Sequence, residues 1–220
     1  MYTVDNAVIM AAGTSSRFAP LSYEKPKGLI DVKGEVLIER QIRQLKEAGI
    51  NNIILVVGYK KEEFEYLHKK FGVKLIENPF FATKNNNASI YAVRDYLNNT
   101  YICSSDNYFS VNPFEKEVEC SYYSALYSKG KTSEWCLEED KNGYITDVKI
   151  GGYNSWYMIG HAFWDEKFSK KFIEILDKVY YKPETANKFW ENIYIEHINE
   201  LKMKIRHYTD NTIFEFDSLD

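Results

Sequence analysis

Residues Ile53–Val57 read Ile-Ile-Leu-Val-Val, five consecutive apolar and mostly β-branched residues that stop at Gly58. A strand this continuous has no polar face to offer water, so it belongs inside a sheet that is covered on both sides. Its neighbours supply the cover. Leu37, Ile38, Ile42, Leu45 and Ala48 recur at helical spacing before Gly49, and Phe64, Leu67 and Phe71 do so before Gly72. Short apolar runs predict further strands over 7–10, 73–76 and 101–104, and a helix is predicted over 88–97. This alternation predicts an α/β fold, with right-handed crossovers placing helices on both faces of a mainly parallel sheet.

The second half changes character. Strands are predicted over 122–127, 135–137 and 144–150, with Asn142-Gly143 as a hairpin signal between the last two. Two amphipathic helices, 166–180 and 185–201, precede strands near 203–207 and 213–216. No internal repeat, low-complexity tract or linker interrupts the chain, and 220 residues suit one domain spanning 1–220.

Composition narrows the function classes. A formal net charge of −4 argues against a nucleic-acid partner, which normally needs a basic face. No apolar run approaches the roughly 18 residues that span a bilayer, and no secretory leader is evident. Cys103, Cys120 and Cys136 form no Cys-x-x-Cys pair, which fits reduced thiols in a cytoplasmic protein. His68, His161, His197 and His207 are scattered; they give a zinc site little support and read as surface or packing residues.

The stretch with most chemistry runs from Met10 through Ala11, Ala12, Gly13, Thr14, Ser15, Ser16 and Arg17 to Pro20-Leu21, followed by Lys25-Pro26-Lys27. Small residues after a strand let the backbone approach a ligand, and successive N–H groups in such a turn can cradle phosphates. Arg17 and Lys27 could neutralise a triphosphate. A polar loop carrying two solvated bases is the plainer alternative.

This stretch resembles the signature of the sugar-phosphate nucleotidyltransferases: a strand, then Leu-Ala-Ala-Gly-x-Gly-Ser/Thr-Arg-x-x-Pro-Leu, then Pro-Lys. The likeness extends through Glu39 and Val57-Gly58-Tyr59. It departs at Ser15, where the pattern has its second glycine; a positive φ there would strain a serine. Within that superfamily the chain is most similar to the CTP:phosphocholine cytidylyltransferases. The supporting residues are Asn85-Asn86 with Ser89 and Tyr91, Ser105-Asp106-Asn107-Tyr108, Glu134-Trp135, Phe189-Trp190-Glu191-Asn192 and Glu215-Phe216-Asp217-Ser218.

The resemblance implies a Rossmann-like nucleotidyltransferase fold with a small β-rich elaboration, a nucleotide-binding half over about 1–110 and an acceptor-binding half over about 111–220. It implies that the backbone from Ala11 to Arg17, with Asn86, Ser89 and Asp106, binds the nucleotide. Arg17, Lys27 and Asp106 become the catalytic set. Asp106 and Asp217 become ligands of Mg²⁺, a cation usually held by one or two carboxylates plus substrate phosphates; Glu215 is a weaker candidate. Helix capping by Asn85–Asn87 is an equal alternative for Asn86. A quaternary ammonium offers no hydrogen-bond donor, so aromatic faces must recognise it. Trp135 and Trp190 match aromatic positions of the phosphocholine enzymes, Trp156 and Tyr157 are added candidates, and Glu134 or Glu191 could contribute a carboxylate; Trp164 reads as core.

The reaction implied is CTP plus phosphocholine giving CDP-choline and pyrophosphate. The alternatives are another acceptor, namely 2-aminoethylphosphonate, phosphoethanolamine or a sugar 1-phosphate, or a nucleotide sensor without turnover. The chain stops soon after Asp217 and starts six residues before its first strand. These ends suggest a domain of a longer polypeptide, with a fused choline kinase domain as the expected partner.

Overall fold

The computed structural model describes residues 1–15 and 18–216. Seven strands form the main sheet: β1 (Asn6–Ala11), β2 (Ile53–Val57), β3 (Lys74–Glu77), β4 (Thr100–Ser104), then, after β5 (Asn107–Phe109), which lies elsewhere, β6 (Tyr122–Glu139), β7 (Ile145–Trp164) and β8 (Lys204–His207). Their order across the sheet is β8-β6-β7-β4-β1-β2-β3. The β1, β2, β3 and β4 neighbours pair in parallel, as do β6 and β8, whereas β7 runs antiparallel to both β6 and β4. The sheet is therefore mixed, and its parallel part is the first half of the chain.

Alternation along the parallel strands divides the core into two layers. Val8, Ile54, Val56 and Ile102 face one side, where α3 (Asn87–Ala92), α4 (Glu166–Val179) and α5 (Trp190–Glu196) contribute Ile90, Phe172, Ile193 and Tyr194. Ile9, Leu55, Tyr101 and Cys103 face the other, against Ile38, Ile42 and Leu45 of α1 (Leu37–Glu47) and Leu67 of α2 (Glu65–Phe71). All five residues of β2 are buried, as the sequence requires. Asp165 caps α4 by accepting from the N–H groups of Lys167 and Phe168, both at 3.0 Å.

Several expected elements differ. The strands expected over 122–127 and 135–137 are one 18-residue strand, β6, whose bulged antiparallel pairing with β7 continues through residues 128–132. That stretch is polar because the ribbon there is paired only across its width, with solvent beside it. The helix expected from the spacing of Phe64, Leu67 and Phe71 is preceded by a 3₁₀ turn, Lys61–Phe64, and the one expected over 88–97 gives way to a second, Arg94–Tyr96. The helix expected over 185–201 shrinks to α5. Its first residues are held sideways instead: Asn85 N–H donates to Ala186 O at 2.7 Å, and Asn87 Nδ2 to Thr185 O at 3.0 Å.

His161 is the packing residue among the histidines. It is 1% exposed and ringed by Tyr101, Phe109, Phe114, Tyr122 and Tyr208, with Nε2 3.0 Å from Tyr122 Oη. Burial, reinforced by repulsion from Arg206, pushes its pKa down from 6.5 to about 3. The unfolded chain then binds the extra proton between those values, so stability is complete above pH 6.5 and lost as the pH falls below it. At pH 5.5 the loss from this group is about 1.4 kcal/mol. Urea midpoints should fall between pH 6.5 and 5.5, and the His161→Gln variant should lack this part of the slope; an unchanged slope would remove the histidine from the account.

Candidate active site

The C-terminal ends of β1 and β4 open into a cleft of about 1030 Å³. Ligands of open α/β sheets bind at this edge. The turn from Ala11 to Ser15 forms one wall, and Ser15 has φ +52°, the left-handed value a glycine would adopt without strain. Ser16 and Arg17 lie outside the described residues.

Opposite that turn, Lys27 meets Asp106. Lys27 Nζ donates to Asp106 Oδ2 at 2.9 Å, and Ser104 Oγ donates to the other carboxylate oxygen at 2.6 Å. Both side chains are largely sheltered, at 10% and 15% exposure. Their approach depends on Gly28, where a Cβ would sit 2.8 Å from Ser105 Cβ. The Asp106 turn is fixed from behind by α1: the buried Gln41 donates through Nε2 to Ser104 O at 2.8 Å and to Asn107 O at 2.9 Å. The next strand, β5, pairs antiparallel with β9 (Ile213–Glu215), and Phe216 N–H donates to Asp106 O at 3.2 Å. The chain end is thus led to the Asp106 turn and brings Glu215 into the cleft wall. Asp217 lies outside the described residues.

Asn86 and Ser89 both line the cleft. Asn86 makes no side-chain capping bond to α3. Its amide instead accepts from Trp190 N–H at 2.7 Å and donates to Glu191 Oε2 at 3.2 Å. Ser89 Oγ accepts from Asn78 Nδ2 at 3.2 Å. Glu191 also accepts from Tyr123 Oη at 3.2 Å, and burial pushes its carboxyl up to about 7. Trp135 and Phe189 line the same end, edge to face with centroids 6.0 Å apart.

Three expected acceptor residues are placed otherwise. Trp190 borders the cleft but is only 1% exposed, stacked on Tyr123 at 5.7 Å and packed edge-on to Trp164 at 5.0 Å. It is core, like Trp164, and the accessible ring is Phe189 at 42% exposure. Trp156 is absent from the described cleft lining and packs on His207 at 4.2 Å and Tyr127 at 5.3 Å. Successive strand residues face opposite ways, so Trp156 and Tyr157 cannot share one surface. Tyr157 instead lines a second hollow of about 300 Å³ with Glu134, Phe214 and Glu215.

Among the described residues, Asp106, Glu134, Glu191 and Glu215 border the main cleft against the cations Lys27 and Lys84. Such a balance suits cationic ligands beside a phosphate-bearing one.

Known proteins resemble this chain in sequence and in fold. Residues 7–109 match the model of the MobA-like NTP transferase domain. The choline-phosphate cytidylyltransferase of Streptococcus pneumoniae is 37% identical over 97% of this chain and 93% of its own length. The solved structure of the CTP:phosphocholine cytidylyltransferase of that species superposes with a TM-score of 0.94, at 37% identity, covering 99% of this chain and 95% of the other. The chain belongs to the choline-phosphate cytidylyltransferase family. It is thus a nucleotidyltransferase. A 2-aminoethylphosphonate cytidylyltransferase of Lancefieldella rimae is 35% identical over 97% of this chain and 89% of its own length, so the acceptor end needs its own argument.

In this cytidylyltransferase Tyr123 and Phe189 at the acceptor end, Asn78 beside Ser89 and Gln41 behind the Asp106 turn have places that the sequence did not assign, although Phe189 belongs to a segment that carries the resemblance. Phe189 stands one residue before the favoured Trp190, whose ring packs into the core against Tyr123, Trp164 and Phe172 while its N–H donates to Asn86 Oδ1. Gln41 lies on the apolar face of a helix, where a buried amide flanked by Ile38, Ile42 and Leu45 was a usable signal of a fixed backbone partner.

Proposed function

We propose that the cleft transfers the cytidylyl group of CTP to phosphocholine, giving CDP-choline and pyrophosphate. One observation carries this reading: the Trp135–Phe189 corner and the Glu191 carboxylate share a single cleft with the Lys27–Asp106 pair. A phosphate oxygen of the acceptor attacks the α-phosphorus, and the bond to the β-phosphate breaks as pyrophosphate leaves. The acceptor is already largely ionised, since the second pKa of a phosphomonoester is about 6, so no general base is required. Aligning the two phosphates and offsetting their charge is what remains for the protein. Lys27 supplies a cation there, Arg17 is assigned the same task, and the turn from Ala11 to Ser15 cradles the triphosphate. Asn86 and Ser89 border the nucleobase.

The donor chemistry around Asp106 fits Mg²⁺. The sheltered carboxylate oxygens of Asp106 are hard donors, one beside the Ser104 hydroxyl and the other beside the Lys27 ammonium, and this cation takes few protein ligands. Asp106 would hold it together with Asp217, and the bound ion would neutralise charge on the reacting phosphates.

The trimethylammonium group sits against Trp135 and Phe189, each cation–π contact contributing about 0.5–2 kcal/mol, with Glu191 as counter-ion. A second reading, 2-aminoethylphosphonate as acceptor, is favoured by the Lancefieldella rimae relative and by the carboxylates Glu134 and Glu191, which could accept from a primary ammonium. Pyrophosphate release over a matrix of the four NTPs against phosphocholine, phosphoethanolamine and 2-aminoethylphosphonate separates the two. The kcat/KM with CTP and phosphocholine should exceed that of every other pair by at least about tenfold, a 1.4 kcal/mol preference. A maximum with either primary amine would transfer the assignment. A choline kinase domain on the same polypeptide would supply the acceptor, and the encoding reading frame tests that partner separately.

A further inference from the structure

The nucleotide loop is held from outside the cleft by three consecutive residues at the end of β2. Gly58, Tyr59 and Lys60 are not among the described residues that line the cleft. Tyr59 N–H donates to Ala12 O at 3.1 Å, and Tyr59 Oη donates to Ser22 O at 3.3 Å. Lys60 Nζ donates to Tyr23 O at 2.8 Å and Glu24 O at 2.9 Å, the last carbonyls of the four-residue helix Leu21–Glu24. Glu63 Oε1, 3.3 Å from the same nitrogen, balances the charge. A compact ammonium with three rotatable donors suits adjacent carbonyls at a helix end.

Two features show that this turn is built for the contact. Lys60 has φ +50° and ψ +42°, a left-handed conformation that disfavours any residue with a Cβ and persists only where the surroundings impose it. At Gly58 a Cβ would stand 2.7 Å from Phe81 Cβ and 2.9 Å from Ala12 O, so only glycine lets the turn sit this close to the loop. From Glu24 the chain reaches Lys27 through Lys25 and Pro26 alone, and Pro26 fixes its own φ at −55°. Anchoring Tyr23 and Glu24 therefore sets where Lys27 emerges.

We propose that the Gly58-Tyr59-Lys60 turn is a latch on the nucleotide loop, with Lys60 as a positioning residue acting through Lys27. This rests on the reading that the loop holds the triphosphate. The latch joins both ends of the loop, Ala12 by Tyr59 and the 21–24 helix by Lys60, to the most buried strand of the sheet, so the phosphate-facing backbone is preorganised before CTP arrives.

Hydrogen exchange of substrate-free protein and steady-state kinetics test it together, with Lys60→Met, Lys60→Arg and the control Lys61→Met. Lys61 is a good control because its pairing with Glu77 is at the surface, 51% and 48% exposed. Lys60→Met should speed exchange of the amides in 18–27 by about tenfold or more and raise the KM for CTP on the order of tenfold with a lower kcat, leaving the KM for phosphocholine within about twofold. Lys60→Arg, which keeps donors at the carbonyls, should recover most of both effects, and Lys61→Met should show neither. Unchanged exchange in Lys60→Met overturns the latch whatever the activity. Faster exchange with unchanged CTP kinetics leaves the latch as a structural tie and overturns Lys60 as a positioning residue.

Discussion

Replacing Asp106 with Asn should lower kcat/KM for CDP-choline formation on the order of 10³-fold while leaving the fold intact. The substitution is nearly isosteric. The single amide oxygen can still accept from one of the two donors, the Ser104 hydroxyl or the Lys27 ammonium, and the backbone bonds from Gln41 and Phe216 to this turn do not involve the carboxylate. What disappears is a negative charge in the cleft, at the place where the proposed reaction requires a cation to be held. Lys27→Ala removes the opposite charge of the pair. It should slow turnover while leaving the KM for phosphocholine near its original value, because its cation faces the nucleotide loop. Steady-state pyrophosphate release, with thermal midpoints as the control for folding, checks both. An Asp106→Asn enzyme that retains wild-type Mg²⁺-dependent turnover would dismiss Asp106 as a metal ligand, and an effect of Lys27→Ala confined to the phosphocholine KM would relocate that lysine.

Much of this site could be read from the sequence because strand ends carry it. The run at Ile53–Val57 could only be an interior strand, and the strands on either side of β1 then place the Ala11–Ser15 turn and the Asp106 turn on one edge. Even the departure at Ser15 was legible as a position of positive φ. The acceptor end was less legible, for a physical reason. Its residues come from a two-stranded ribbon and from the segment that leads into α5, where facing is set by pairing register and by packing against distant rings. Trp156 and Tyr157 differ by one place and lie on opposite surfaces. Phe189 and Trp190 differ by one place, and packing against Tyr123, Trp164 and Phe172 takes the larger ring into the core. Composition alone favours tryptophan for an ammonium cage; the backbone assigns the outer place to phenylalanine.

The second large effect concerns that end of the cleft. Trp135→Ala should raise the KM for phosphocholine by about tenfold or more, the cost of one partly desolvated cation–π contact, and change the KM for CTP little. Phe189→Ala should act in the same direction and less strongly, because the phenyl ring is the weaker π partner. Trp190→Ala should instead cost about 3–5 kcal/mol of stability, as removal of a core aromatic does. Glu191 makes the acceptor effect pH-dependent. Its carboxyl titrates at about 7 because burial disfavours the charge, while Asn86 and Tyr123 donate to it. A bound trimethylammonium favours the ionised form, so the acceptor binds well above pH 7 and competes with a proton below it. The KM for phosphocholine should therefore climb by up to about tenfold per pH unit as the pH falls from 7, a limit set by one linked proton. Phosphocholine gains a proton of its own near pH 6, so the decisive comparison is with Glu191→Gln, which keeps the amide-sized group and cannot ionise. That variant should show a raised KM at pH 8 and a profile between pH 8 and 6.5 flatter than that of the unmodified enzyme. Parallel profiles would mean that Glu191 stays in one protonation state and that the aromatic corner holds the cation without it.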